Sequence, residues 1–144
     1  MFMNWTVSYL QRQFPDVPGV DTTKTQEMIE EGKPMLIVDC RKEDEYQVSK
    51  IPGAKHVHFQ CTDQVLKEAL NESCSRSGIT RIVSYCSLGY RSAIMTKRIM
   101  EMVQKDPSLS AMIPSDQIYN LEGSIFKWAS EDKALVDNHE LPTK

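Results

Sequence analysis

The stretch Tyr85-Cys86-Ser87-Leu88-Gly89-Tyr90-Arg91-Ser92 joins two segments of different character. Residues 81–84, just before it, are typical of a β-strand, whereas residues 92–103 have the apolar spacing of a helix. A cysteine on a turn between a strand and a helix lies where unpaired backbone N–H groups meet the positive end of the helix dipole. We therefore predict that the pKa of Cys86 is lowered and that this residue is a thiolate nucleophile near neutral pH.

The other residues of this loop also suit it to an anion. Gly89 allows backbone angles that a side chain would disfavour. Arg91 adds a positive charge, which either binds an anion or ties the loop to Asp39 or Glu45. Tyr90 either shapes access to the loop or covers the start of the helix. A buried structural thiol is the alternative for Cys86, but the residues around it favour the reactive interpretation.

Composition and charge exclude several classes of protein. The chain has 144 residues, enough for one domain with a buried core. A net charge of −3 without a basic tract argues against nucleic-acid binding, and no apolar run is long enough to span a membrane. The four cysteines and three histidines lack the spacing of a zinc site, so we expect no metal. Without the features of a signal peptide, we expect a reducing, cytoplasmic location.

The rest of the chain alternates between strand-like and helix-like segments. Strands are predicted at residues 34–39, 55–59, 81–84 and 117–121, and helices at residues 23–31, 42–48, 62–70, 91–104 and 124–130. Residues 4–14 fit a helix or a strand, of which we prefer the helix, and residues 15–19 and 106–114 are predicted loops.

This alternation predicts an α/β fold with a central parallel sheet of about five strands and helices on both faces. Ligands bind such folds beyond the carboxyl ends of the strands. Cys86 lies directly after its strand, and Asp39 and Arg41 lie at the end of another. All three are therefore expected at the same edge of the sheet.

Five short motifs of the chain resemble, in the same order, those of the single-domain rhodanese (thiosulfate sulfurtransferase-like) family. They are Leu36-Ile37-Val38-Asp39-Cys40-Arg41, Glu45-Tyr46, Ile51-Pro52-Gly53-Ala54, Cys86-Ser87-Leu88-Gly89-Tyr90-Arg91-Ser92, and Leu121-Glu122-Gly123 with Trp128. The chain departs from the family pattern at Cys40, in place of a valine, at Ser49-Lys50, in place of Gly-His, and at Ser124, in place of a glycine. The resemblance implies a rhodanese-like domain at residues 20–136, between an N-terminal extension (1–19) and a polar tail (137–144).

The resemblance implies a sulfurtransferase. Cys86 would take a sulfane sulfur from thiosulfate or a low-molecular-weight persulfide, and the resulting persulfide would pass it to a thiol or cyanide. The substrate would be bound by the loop residues after the cysteine: Ser87, Leu88, Gly89, Tyr90, Arg91 and Ser92. Asp39 and Arg41 would brace the loop. The expected partners are a small-molecule sulfur donor and a thiol acceptor, with a protein persulfide as an alternative, and no cofactor is required.

Two other functions remain as alternatives. Related phosphatases and arsenate reductases of the same fold have a loop one residue longer between cysteine and arginine. Here four residues separate Cys86 from Arg91, which favours sulfur transfer. The second alternative is a non-catalytic interaction or regulatory module, against which the intact Cys86 loop argues.

The charge of the loop and the remaining cysteines give two further expectations. No Lys or Arg lies between Cys86 and Arg91, so we predict weak turnover of the thiosulfate dianion and a preference for a persulfide donor. Cys40, Cys61 and Cys74 are expected to be inert thiols. For Cys40 an alternative stays open, because its place at a strand end would let it approach Cys86 and form a resolving disulfide.

Overall fold

A computed structural model describes residues 2–143, without the side chains of residues 2 and 77. Its central sheet contains five parallel strands in the spatial order β1-β5-β4-β2-β3. They are β1 (Gly19–Val20), β2 (Leu36–Asp39), β3 (Lys55–His56), β4 (Ile82–Tyr85) and β5 (Ile118–Leu121). The α/β class and the five-stranded parallel sheet predicted from the sequence are thereby confirmed.

Helices connect and cover the strands. They are α1 (Phe2–Gln13), α2 (Thr22–Glu30), α3 (Glu43–Val48), α4 (Asp63–Ser77), α5 (Tyr90–Lys105), α6 (Pro107–Ser110) and α7 (Ser124–Ser130). A small antiparallel hairpin follows, formed by β6 (Leu135–Val136) and β7 (Pro142–Thr143). None of the helices in residues 2–143 is long and apolar enough to cross a membrane.

The sheet separates two hydrophobic cores, because successive residues of a strand point to opposite faces. One core contains Val38, Cys40, Ile82 and Cys86 and is covered by α4, α5 and α6. The other core contains residues of α2 and α7, including the fully buried Trp128. It also contains the strand residues whose side chains point to this second face of the sheet, Ile37, Val83 and Tyr85. Cys40 and Cys86 therefore lie on the same face, at the ends of adjacent strands.

Several boundaries differ from the sequence predictions for identifiable reasons. Helix α2 starts at Thr22 because Asp21 caps it, accepting a hydrogen bond of 2.6 Å from the Lys24 amide. Helix α4 continues to Ser77 and ends at Gly78, which adopts a left-handed conformation. Strands β1, β6 and β7 were not predicted, because two residues are too few to show a periodicity.

The segment that fitted either a helix or a strand is the helix α1. Its last turn and the following residue approach the Cys86 loop. The Phe14 ring meets the Tyr90 ring edge-on, with ring centroids 5.6 Å apart. A Cβ atom on Gly89 would lie 3.0 Å from Leu10 Cδ1. Helix α1 therefore forms a wall beside the loop.

Candidate active site

Cys86 lies between the end of β4 and the start of α5, and only 2% of its surface is exposed. Its sulfur accepts a hydrogen bond of 3.1 Å from the Gly89 amide. Gly89 has a φ of 120°, which L side chains rarely adopt. The Ser92 hydroxyl, on the first turn of α5, lies 3.4 Å from the same sulfur. Gly89 and Ser92 are the loop residues whose hydrogen-bond donors face the sulfur, as the sequence predicts for a cysteine at a strand-to-helix turn.

Hydrogen bonds lower the pKa of Cys86 to about 5. The largest cause is the thiol of Cys40, followed by burial, which acts in the opposite direction, and then by the hydroxyl and amide of Ser92 and the amide of Gly89. Burial raises the pKa of Cys40 well above its ordinary value. Cys40 thus keeps its proton, and its thiol donates to the Tyr85 carbonyl oxygen over 3.2 Å.

Three polar side chains from different elements support the loop from the protein interior. The Cys86 amide donates to the Ser124 hydroxyl over 3.2 Å. Asn120 accepts a 2.6 Å hydrogen bond from Ser92 and donates one of 3.2 Å to the Gly89 carbonyl. Sequence reasoning did not assign Asn120 or Ser124 to the site. The only signal was Ser124 itself, which departs from the family pattern and here supplies the oxygen that holds the Cys86 backbone.

The amino-terminal end of α7 also holds the loop. The amides of Ile125 and Phe126 donate to the carbonyl oxygens of Cys86 and Ser87, both over 3.1 Å. Phe126 and Tyr90 are both more than half exposed, so two aromatic rings border the loop. Leu88 lines a cavity of about 20 Å³ between the loop and α1.

Arg91 pairs with Glu45 of α3, one of the two partners considered from the sequence. Arg91 Nη1 lies 3.0 Å from Glu45 Oε1, and its Nη2 donates to the Ser87 hydroxyl over 2.9 Å. The guanidinium lowers the pKa of Glu45, and the carboxylate raises the pKa of Arg91. The positive charge nearest the loop is therefore matched by a carboxylate.

Asp39 and Arg41 form a buried network beside the loop. Arg41 Nη2 lies 2.7 Å from Asp39 Oδ2, and the Tyr85 hydroxyl donates to the same oxygen over 2.7 Å. Tyr85 in turn accepts from the Ile51 amide over 3.0 Å, and Arg41 donates to the Ser49 carbonyl over 2.6 Å. These contacts join Asp39 and Arg41 to the residue that precedes Cys86 and to the segment after α3.

The remaining cysteines lie outside the loop. Cys74 is buried in α4, where burial raises its pKa. The partly exposed Cys61 sulfur lies 3.9 Å from Arg98 Nη1. Within the described part of the chain, no cysteine forms a disulfide and no cluster of His, Cys, Asp or Glu has the arrangement of a metal site.

Comparison with known proteins gives one family and several related folds. The profile of the family described as Rhodanese-like domain matches residues 21–131. Ygr203w from Saccharomyces cerevisiae, described as a homolog of single-domain rhodanese and of the Cdc25 phosphatase catalytic domain, superposes with a TM-score of 0.65 at 20% identity, over 81% of this chain and 82% of that one.

Two further structures show the range of proteins that share this fold. A thiosulfate sulfurtransferase from Pseudomonas aeruginosa gives a TM-score of 0.64 at 17% identity, over 89% of this chain but only 21% of that one. An As-Sb reductase from Leishmania major gives 0.67 at 13% identity, over 89% and 92% of the two chains. No curated protein matches the sequence significantly. At these identities the structural likeness shows the fold alone.

Proposed function

Since this chain belongs to the rhodanese-like domain family, we propose that it is a sulfurtransferase that carries a sulfane sulfur as a persulfide on Cys86. The observation that carries this proposal is the buried Cys86 sulfur, whose pKa is lowered to about 5 by hydrogen bonds at the start of α5. A thiolate formed in this way needs no general base to attack a sulfur donor.

The reaction has two steps. The Cys86 thiolate attacks the outer sulfur of a persulfide donor, the S–S bond of the donor breaks, and the donor leaves as a thiolate. An acceptor thiolate or cyanide then attacks the outer sulfur on Cys86 and restores the Cys86 thiolate. The backbone amides of Gly89 and Ser92, which hydrogen-bond to the sulfur, stabilise its negative charge before and after transfer.

The charge around the loop supports a persulfide donor rather than thiosulfate. Arg91 is the only cation of the loop sequence, and Glu45 neutralises it at 3.0 Å. A thiosulfate dianion would approach this carboxylate with little net attraction, whereas a low-molecular-weight persulfide places less charge at the reacting end. We expect a higher kcat/KM for glutathione persulfide than for thiosulfate, and a strong preference for thiosulfate would refute the donor assignment.

Loop length separates this proposal from phosphoryl or arsenate chemistry. One neighbour is described as a yeast protein tyrosine phosphatase of the Rhodanese family, and another as an As-Sb reductase. Only four residues separate Cys86 from Arg91, which resembles the shorter, sulfur-transferring loop. Hydrolysis of an aryl phosphate that requires Cys86, without sulfur uptake, would favour the phosphatase instead.

The direct test is intact-protein mass spectrometry after mixing with glutathione persulfide and removing the donor. Transfer to a cyanide acceptor is measured in the same samples as thiocyanate. We expect the wild-type protein and Cys74→Ser to form thiocyanate and Cys86→Ser to form none. Cys74 is the matched control because it is a buried cysteine on α4, outside the loop sequence. Failure of every donor to modify Cys86 would favour a non-catalytic interaction module.

A further inference from the structure

The strand register places Cys40 beside Cys86. Strands β2 and β4 are parallel, and Asp39 is the register partner of Tyr85. The Cys40 amide donates to the Tyr85 carbonyl over 3.1 Å, which continues the ladder by one residue. Adjacent strands lie about 4.8 Å apart, whereas a disulfide accepts Cα separations of about 4.4–6.8 Å. The backbone therefore satisfies the first requirement for a Cys40–Cys86 disulfide.

The two side chains also point the same way. Both sulfurs belong to the core under α4 and α5, on the same face of the sheet, and the Cys40 thiol is the largest cause that lowers the pKa of Cys86. The Cys40 thiol donates to the Tyr85 carbonyl oxygen over 3.2 Å, and Tyr85 is the residue directly before Cys86.

Burial restricts what Cys40 can react with. Its surface is 0% exposed, so an external thiol, oxidant or partner protein does not reach it in the folded chain. Cys86 is the group through which chemistry at Cys40 has to pass. The family pattern has a valine at this position, so the thiol of Cys40 is a departure from that pattern.

We propose that Cys40 is a resolving cysteine, which attacks the Cys86 sulfur of the persulfide and releases the carried sulfur as hydrosulfide. This inference rests on the proposed sulfurtransferase function. It adds a second outcome to that reaction, in which the carried sulfur leaves without an external acceptor and the protein ends as a disulfide.

The atoms and electrons of this step balance. The Cys40 proton passes to the outer sulfur, the bond between Cys86 and that sulfur breaks, and a bond between Cys40 and Cys86 forms. The outer sulfur takes both electrons of the broken S–S bond and leaves as HS⁻, and Cys40 replaces it as the sulfur bonded to Cys86. Relative to the reduced protein, each cysteine sulfur has then lost one electron. A dithiol reductant then restores both thiols by exchange.

The test is a single turnover without an acceptor. Reduced full-length protein is loaded anaerobically with glutathione persulfide, desalted at once and incubated without thiol. For the wild type and Cys74→Ser we expect about one hydrosulfide per loaded chain and a mass two hydrogens below the reduced protein, with peptide mapping that joins Cys40 to Cys86. For Cys40→Ser we expect sulfur uptake, a retained persulfide and no hydrosulfide.

Each other outcome overturns a defined part of the reasoning. A wild-type persulfide as long-lived as that of Cys40→Ser overturns the resolving role and leaves the sulfurtransferase standing. A disulfide from Cys86 to Cys61 or Cys74 also overturns it. If neither protein takes up sulfur, the sulfurtransferase proposal fails and the resolving role fails with it. Peptide mapping of the wild type tests for the Cys40–Cys86 disulfide even if Cys40→Ser does not fold.

Discussion

Replacing Cys40 by alanine tests the main contact that keeps Cys86 ionised. The Cys40 thiol is the largest cause that lowers the pKa of Cys86 to about 5. Hydrogen bonds to charged groups contribute about 1.5–3 kcal/mol, and a thiol is a weak donor, so we take the lower end. Since about 1.4 kcal/mol corresponds to one pKa unit, we expect a pKa of about 6 in Cys40→Ala.

This change has a specific consequence for pH dependence. Lowering the pKa of Cys86 means that the reactive thiolate is lost only as pH falls toward 5. At pH ~5.5 the thiolate fraction should fall from about three quarters in the wild type to about one quarter in Cys40→Ala, whereas at pH ~7.5 the two proteins should differ little.

The pKa of Cys86 is measured from the far-ultraviolet absorbance of the thiolate, with Cys86→Ser as the baseline. Sulfur uptake from the donor, measured over the same pH range, should follow the same midpoint. Cys40→Ser keeps a hydroxyl donor and should show a smaller increase, and Cys74→Ala should show none. An unchanged midpoint in Cys40→Ala would refute the claim that Cys40 stabilises the thiolate.

Three other substitutions test charge and burial. Glu45→Gln should raise kcat/KM for thiosulfate several-fold relative to glutathione persulfide, because it leaves Arg91 unneutralised; an unchanged ratio, measured at low ionic strength, would contradict this. Asp39→Asn should lower the free energy of unfolding in urea by about 3–5 kcal/mol, because it leaves the buried Arg41 charge unpaired; a loss below about 1 kcal/mol would show that the ion pair is dispensable. Ser84→Ala should raise the free energy of unfolding by about 1 kcal/mol, because among the described side chains the Ser84 hydroxyl is the one buried oxygen without a hydrogen-bond partner. A decrease would indicate that this hydroxyl forms a hydrogen bond in solution.

Much of the site could be predicted because it is local in sequence. Cys86, Gly89 and Ser92 lie within one strand-to-helix turn, whose geometry follows from the elements on either side. The sequence could not decide whether Arg91 pairs with Asp39 or with Glu45. Asp39 is the last residue of β2 and Glu45 lies in the helix after it. Only the packing of α3 brings Glu45 to Arg91, whereas Asp39 pairs with Arg41 and Tyr85.

The support beneath the loop was beyond sequence reasoning. Asn120 and Ser124 lie some thirty residues from the cysteine loop, and their contacts depend on β5 lying beside β4 and on the start of α7. Polar residues at such positions are equally typical of solvent-exposed turns. The contact between Cys40 and Cys86 likewise depends on the strand order, which placed β2 directly beside β4.

The position of α1 and β1 has a consequence for how this domain can be shortened. The family match begins at residue 21, but Gly19 and Val20 form the strand that pairs with β5. A chain cut at the family boundary would leave the β5 backbone as an unpaired edge, open to pairing with another chain. It would also remove Leu10 and Phe14, which cover Gly89 and Tyr90. The smallest unit that keeps both solubility and an intact loop therefore begins before residue 21, where the family match starts.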